Sequence, residues 1–150
     1  MSRTFHGRCI VSGNAEASAL VTHTGFNTLA SLKSVGSFLN PKSLIEDQNN
    51  PELYGKCIAS AALCLPETIG STTGGMVIFS VCSLGKGPAC MLFSKPADPL
   101  AVAGAVLTAN WTDHPMPVID NLGPEFLDYV KEGMHITVKQ DGTVIVEDNK

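Results

Sequence analysis

Charge is what this sequence has least of. Asp, Glu, Lys and Arg together make up only 16% of its 150 residues, and the formal net charge is -4. The ten Lys and Arg residues are scattered, with no cluster to neutralise a phosphate backbone or an anionic membrane surface. Nucleic acid and membrane are therefore not expected as partners. Long apolar runs are missing too. Gly, Ser and Pro interrupt every hydrophobic stretch well short of bilayer length. Met1 to His6 passes straight into strand-like sequence and reads as no signal peptide. There is no C-x-x-C pair, no ligand spacing between a histidine and a cysteine, no internal repeat and no low-complexity segment. A metal site within this chain is not expected. The five cysteines (Cys9, Cys57, Cys64, Cys82 and Cys90) are odd in number and sit mostly in apolar surroundings. They read as small buried hydrophobes in a reducing compartment, which places the chain in the cytoplasm.

What is present is apolar. Hydrophobic residues reach 44% and mean hydropathy is +0.16. A chain of this length forms a single domain, 1–150, with a core large enough to need no staples. Low charge with positive hydropathy implies that a partner covers part of the surface.

The chain is organised around Leu65-Pro66-Glu67-Thr68-Ile69-Gly70-Ser71-Thr72-Thr73-Gly74-Gly75. A buried strand over Cys57–Leu65 runs into Pro66. A turn of Gly, Ser and Thr follows, then a helix over Thr73–Leu84. The first N–H groups of a helix have no internal partner, and its dipole favours negative charge there. Two readings stay open at this point. One of Ser71, Thr72 and Thr73 caps the helix, or Ser71 is held where an alkoxide or a substrate carboxylate would be stabilised. No base for Ser71 lies nearby in sequence, and Ile69 and Thr73 stand where a G-x-S-x-G elbow has glycine.

In order, Thr4–Val11 reads as a first strand, turning at Ser12-Gly13-Asn14 into a returning strand over Ala19–Thr22. Phe26–Ser31 reads as a loop, although Asn27 and Thr28 could line a site. Leu44–Glu46 is a short strand, and Asp47–Tyr54 an exposed turn. Ala89–Phe93 is another buried strand. Asp98 caps a helix over Leu100–Asn110, which is apolar nearly all round and so expected to be buried on most sides. Val118-Ile119 is a strand and Pro124–Val130 a helix. Met134, Ile136 and Val138 alternate toward Asp141-Gly142, and Val144 and Val146 alternate back, as in a hairpin. Strands and helices alternating between terminal hairpins predict a mixed α/β domain.

The ordered set Gly7-Arg8-Cys9-Ile10-Val11, Ser12-Gly13-Asn14-Ala15-Glu16, Leu65-Pro66, Gly70-Ser71-Thr72-Thr73-Gly74 and Gly133…Asp141-Gly142-Thr143-Val144 resembles the small subunit of aconitase X. The resemblance covers nearly the whole chain. It implies a swivelling β/β/α domain with a mixed, barrel-like sheet, docked on a separate large catalytic subunit. It departs from the commoner pattern at Ala17, at Glu67-Thr68-Ile69, and at Gly25–Ser31, which replaces Pro-Leu-Ser-Phe-Trp-Gly-Gly. The commoner segment belongs to relatives similar to phosphomevalonate dehydratases. The version here looks like the bacterial form that dehydrates cis-3-hydroxy-L-proline. The implied reaction is β-elimination of water, with an iron centre of iron–sulfur type in the large subunit as Lewis acid. The matching position for the family's active-site serine is Ser71, with Thr72, Thr73 and Gly74 supplying N–H groups for its alkoxide or for the substrate carboxylate. A structural partner subunit, or a free-standing carboxylate- or phosphate-binding domain, are the readings from other classes.

Overall fold

The architecture rests on three short strands with no polar face until the last residue of the third. In the computed structural model, which describes residues 1–148, β5 (Ala62–Leu65), β7 (Cys90–Phe93) and β8 (Val118–Asp120) are buried along their whole length. Such strands must be covered on both faces, and strand periodicity divides the work. Leu63, Leu65, Met91, Phe93 and Val118 enter one apolar cluster, while Ala62, Cys64, Cys90, Leu92 and Ile119 enter a second.

The other strands extend this centre to eight in one sheet. They are β1 (Ser2–His6), β2 (Arg8–Val11), β3 (Ala15–Val21), β9 (His135–Val138) and β10 (Thr143–Glu147), in the order β1-β10-β9-β3-β5-β7-β8-β2. The run β3-β5-β7-β8 is parallel, and every other pairing in this sheet is antiparallel. The two edge strands β1 and β2 are separated in sequence by Gly7 alone, so the sheet must roll to bring its edges together. No ladder joins them, so the barrel-like closure expected from sequence is not made. The single strand read over Thr4–Val11 is likewise two. It breaks at Gly7, whose Cα lies hard against the backbone carbonyl of Asp120 and leaves no room for a side chain. The expected N-terminal hairpin is absent, because β3 pairs with β9 and β5 instead of β2. The C-terminal hairpin forms as read, with Val144 opposite Val138 and Val146 opposite Ile136.

The helices among the described residues are α1 (Thr28–Leu32), α2 (Gly74–Ser83), α3 (Pro99–Trp111) and α4 (Pro124–Tyr129). The long buried strand expected over Cys57–Leu65 is confined to its last four residues, since Cys57 only bridges Leu44. That bridge is also all that remains of the Leu44–Glu46 strand. The Asp47–Tyr54 turn is not wholly exposed, because Asp47, Asn50 and Leu53 are buried in it. α3 corrects another expectation. Ala101, Gly104, Ala105 and Thr108 are buried along one stripe, but Leu100, Val106 and Trp111 are open to solvent, Trp111 by 75%. Of the cysteines, Cys9 and Cys57 are exposed. The other three are buried, and burial pushes the thiol of Cys82 up to about 11 and that of Cys90 up to about 12.

Two polar clusters tie segments distant in sequence. Arg8 on the β2 edge makes a two-pronged bond to the wholly buried Asp120, at 2.9 and 2.6 Å. Asp120 also accepts the Ala97 N–H at 2.7 Å, which holds the segment entering α3. Elsewhere, Glu52 accepts from the His23 backbone at 2.7 Å and bonds the ring Nδ1 at 2.7 Å. The bond to Glu52 raises the His23 pKa. Burial pushes Glu52 up, but its bonds from His23 and Thr22 outweigh this and hold it low. The raised histidine contributes stability below its unfolded pKa and loses it as pH rises through the folded value. The lowered glutamate contributes above its unfolded pKa and loses it as pH falls through the folded value. Denaturation of wild type and His23→Gln across pH should therefore differ most near pH 5–6 and converge above about pH 8. A difference that grows with pH would contradict this assignment.

Candidate active site

The Gly-Ser-Thr-Thr-Gly turn is held by local pairing on one side and by a helix on the other. β6 (Thr68–Ile69) pairs in parallel with β4 (Phe26–Asn27), Phe26 opposite Thr68 and Asn27 opposite Ile69. The segment expected to be a loop is thus a strand leading directly into α1. Asn27 caps α1 by accepting the Ala30 N–H at 3.1 Å. Gly70 then turns the chain with φ +99°, and a Cβ there would lie 2.5 Å from Asn27 Oδ1. Conformation and crowding both require glycine.

Ser71, Thr72 and Thr73 follow as an exposed turn. Ser71 Oγ accepts the Thr73 N–H at 3.2 Å and lies 2.9 Å from Thr73 Oγ1. This is a local side-chain turn, not a helix cap. The capping residue of α2 is Thr73, and no side chain caps that helix. Gly74 is buried and its N–H is taken by the Ser71 carbonyl at 3.1 Å, so it serves as wall and not as a donor to substrate. No histidine, carboxylate or lysine side chain bonds Ser71 among the described residues. Negative charge on Ser71 Oγ would find the Thr73 N–H and hydroxyl as its donors among the described residues.

Beside Ser71 opens a cleft of about 180 Å³, whose walls include Thr28, Thr68, Gly70, Ser71, Gly74 and Asp98. Asp98 caps α3 by accepting from Leu100 and Ala101 at 3.1 and 3.0 Å, and it accepts the Thr68 hydroxyl with its other oxygen. The starts of α1, α2 and α3 are thereby tied to one turn. Among the described residues Asp98 is the single charged residue lining the cleft, and no lysine or arginine reaches its wall. Thr73 lies outside it and lines a separate, more apolar groove of about 240 Å³ with Leu29, Leu32 and Met76. Thr72 lines neither. Sequence reasoning recognised Asp98 as a cap but not its bond to Thr68, thirty residues earlier. No local signal marks such a contact.

Among the described residues no three His, Cys, Asp or Glu side chains stand close enough to hold a metal ion. The donor set of the described residues does not fit an iron cluster. No helix among these residues is long and apolar enough to cross a membrane.

The phosphomevalonate dehydratase small subunit of Aeropyrum pernix is 30% identical over 142 residues, spanning 95% of this chain and 92% of that protein. The protein of the same name from Methanothrix thermoacetophila is 30% identical over 91% of this chain and 89% of its own length. The crystal structure of Thermococcus kodakaraensis aconitase X in its holo form shares the fold, with a TM-score of 0.81, 24% identity, and coverage of 97% and 99% of the two chains. The model of the aconitase X swivel domain matches residues 4–146, and the chain belongs to that family.

Proposed function

We propose that this chain is the small, swivelling subunit of a cytoplasmic, heteromeric hydro-lyase, and that Ser71 takes the proton next to the substrate carboxylate. The observation that carries the reading is the setting of Ser71. Its oxygen is exposed at the lip of a cleft, hydrogen-bonded to the Thr73 N–H, 2.9 Å from the Thr73 hydroxyl, and held by nothing else. Loss of the α-proton to the Ser71 alkoxide and of the β-hydroxyl as hydroxide leaves a carbon–carbon double bond, and transfer of the proton from Ser71 to the hydroxide makes the one water released and restores the alkoxide. An iron centre in the large subunit supplies Lewis acidity for departure of the hydroxyl. In cis-3-hydroxy-L-proline the resulting enamine tautomerises to Δ1-pyrroline-2-carboxylate, with one water lost overall.

The favoured substrate is cis-3-hydroxy-L-proline. A cleft lined by hydroxyls, one carboxylate and the apolar Ile69, Leu100 and Ala101, with no cation among the described residues, suits a small cyclic amino acid better than a phosphate ester. Phosphomevalonate is the second reading, favoured by the names of relatives at 30% identity. On that reading the large subunit supplies the phosphate's cations. The large subunit also covers the open apolar side chains around the turn, among them Ile69, Met76 and Leu100.

Two assays test this. The isolated chain should be inert, and the complex with its large subunit should release Δ1-pyrroline-2-carboxylate from cis-3-hydroxy-L-proline. Full-rate turnover by the chain alone would overturn the division of labour. Preference of the complex for phosphomevalonate would overturn the substrate. A complex without dehydratase activity on either leaves the structural or binding-domain alternatives standing.

A further inference from the structure

We infer that Thr28 is a substrate-contacting residue that sets specificity, its hydroxyl reading a polar group of the substrate across the cleft from Ser71. The inference deepens the hydro-lyase reading and rests on it. Thr28 is 3% exposed and lines the cleft. No group among the described residues bonds its hydroxyl, while Oδ1 of neighbouring Asn27 is committed to the cap of α1. Unlike Ser31 Oγ and Asn50 Oδ1, the Thr28 hydroxyl is not sealed from solvent, so a polar group bound in the cleft can reach it.

The position of Thr28 is set from three directions. Pairing of Asn27 with Ile69 fixes its distance along the turn. The Asn27 cap fixes the start of α1. A Cβ on Gly74 would lie 3.4 Å from Thr28 Cβ and 3.7 Å from its Oγ1, so the side chain rests against the first residue of α2. Thr28 and Ser71 thus face one cleft from two elements that cannot slide past each other. The donors at Ser71 serve charge that develops during proton removal. The Thr28 hydroxyl serves a group already present in the bound substrate. Losing it should weaken binding without slowing the chemical step.

The test uses the assembled heteromer and compares Thr28→Ala, Thr28→Ser and Thr28→Val. Thr28→Ser keeps the hydroxyl and should hold KM for cis-3-hydroxy-L-proline within about twofold to threefold of wild type. Thr28→Val keeps the shape and Thr28→Ala removes both features. Each should raise KM about tenfold or more, with kcat little changed. Inhibition by L-proline, which lacks the 3-hydroxyl, then identifies the group that is read. An unchanged inhibition constant in Thr28→Val assigns the substrate hydroxyl, and a weakened one assigns the amine or carboxylate. If Thr28→Val and Thr28→Ala keep the wild-type KM, or if Thr28→Ser loses binding as much as they do, the hydroxyl is not read and the inference fails. Wild-type turnover judges the functional reading separately. If the complex prefers phosphomevalonate, the same variants are compared on that substrate, and the same KM pattern decides.

Discussion

Ser71→Ala should reduce turnover by the assembled enzyme on the order of 10²- to 10⁴-fold, the range expected for removing a proton-transfer group. Assembly with the large subunit and thermal stability should stay near wild type. The structure separates this from a role in folding. Ser71 is exposed, does not cap α2, and makes its side-chain bonds only within its own turn. Its loss should cost less than the ~1 kcal/mol of a helix cap. Activity that fell only in step with folding or assembly would contradict the chemical role. Ser71→Thr keeps the oxygen but adds a methyl group to a turn already tied to Thr73, so only a trace of turnover should remain. Thr73→Val removes the hydroxyl that faces Ser71 and should lower kcat more than it raises KM. Of the two roles open to Thr73, donor to the Ser71 oxygen or to the substrate carboxylate, this prediction takes the first, because its side chain lies outside the cleft and its N–H bonds Ser71.

The second large effect is at a distance from the chemistry. Gly75 on α2 and Gly104 on α3 face each other. A Cβ on Gly75 would lie 2.5 Å from the Leu100 carbonyl oxygen, and a Cβ on Gly104 would lie 2.5 Å from the Gly75 carbonyl oxygen. Both obstacles are backbone, so no side chain can swing aside, and the helices must separate. Gly104→Ala should therefore destabilise the chain by about 1–3 kcal/mol, as overpacking does, despite the better helix propensity of alanine. Separation of α2 from α3 also moves Gly74 and Ser71 relative to Asp98, so residual folded enzyme should show a lowered kcat. Denaturant unfolding and single-turnover rates measure the two effects. A Gly104→Ala protein at least as stable as wild type would show that the glycines do not set the helix spacing.

The site was legible in sequence where the signals are local. Gly70 before Ser71-Thr72-Thr73, the Asp98-Pro99 helix start and the Asp141-Gly142 hairpin each carry their geometry in adjacent residues. The alternation of Met134 to Val146 likewise specifies one buried face. What sequence did not show depends on pairing at long range. The split at Gly7 follows from contact with Asp120, more than a hundred residues away. Phe26-Asn27 becomes a strand only because Thr68-Ile69 lies alongside it. Two residues have no periodicity to read. α3 is apolar all round and so reads as buried, yet one face has no neighbour among the described residues. Leu100, Val106 and Trp111 lie open there, where the proposed large subunit would dock.

The account turns on whether Ser71 is the base, and exchange of the substrate α-proton reports on that step without waiting for water to leave. Wild-type and Ser71→Ala heteromers would be incubated with cis-3-hydroxy-L-proline in deuterated water, and deuterium at the α-carbon followed by NMR in recovered substrate. The account predicts that Ser71→Ala incorporates no deuterium above the enzyme-free background while still binding substrate. Exchange at the wild-type rate in Ser71→Ala would contradict it and place the base in the large subunit.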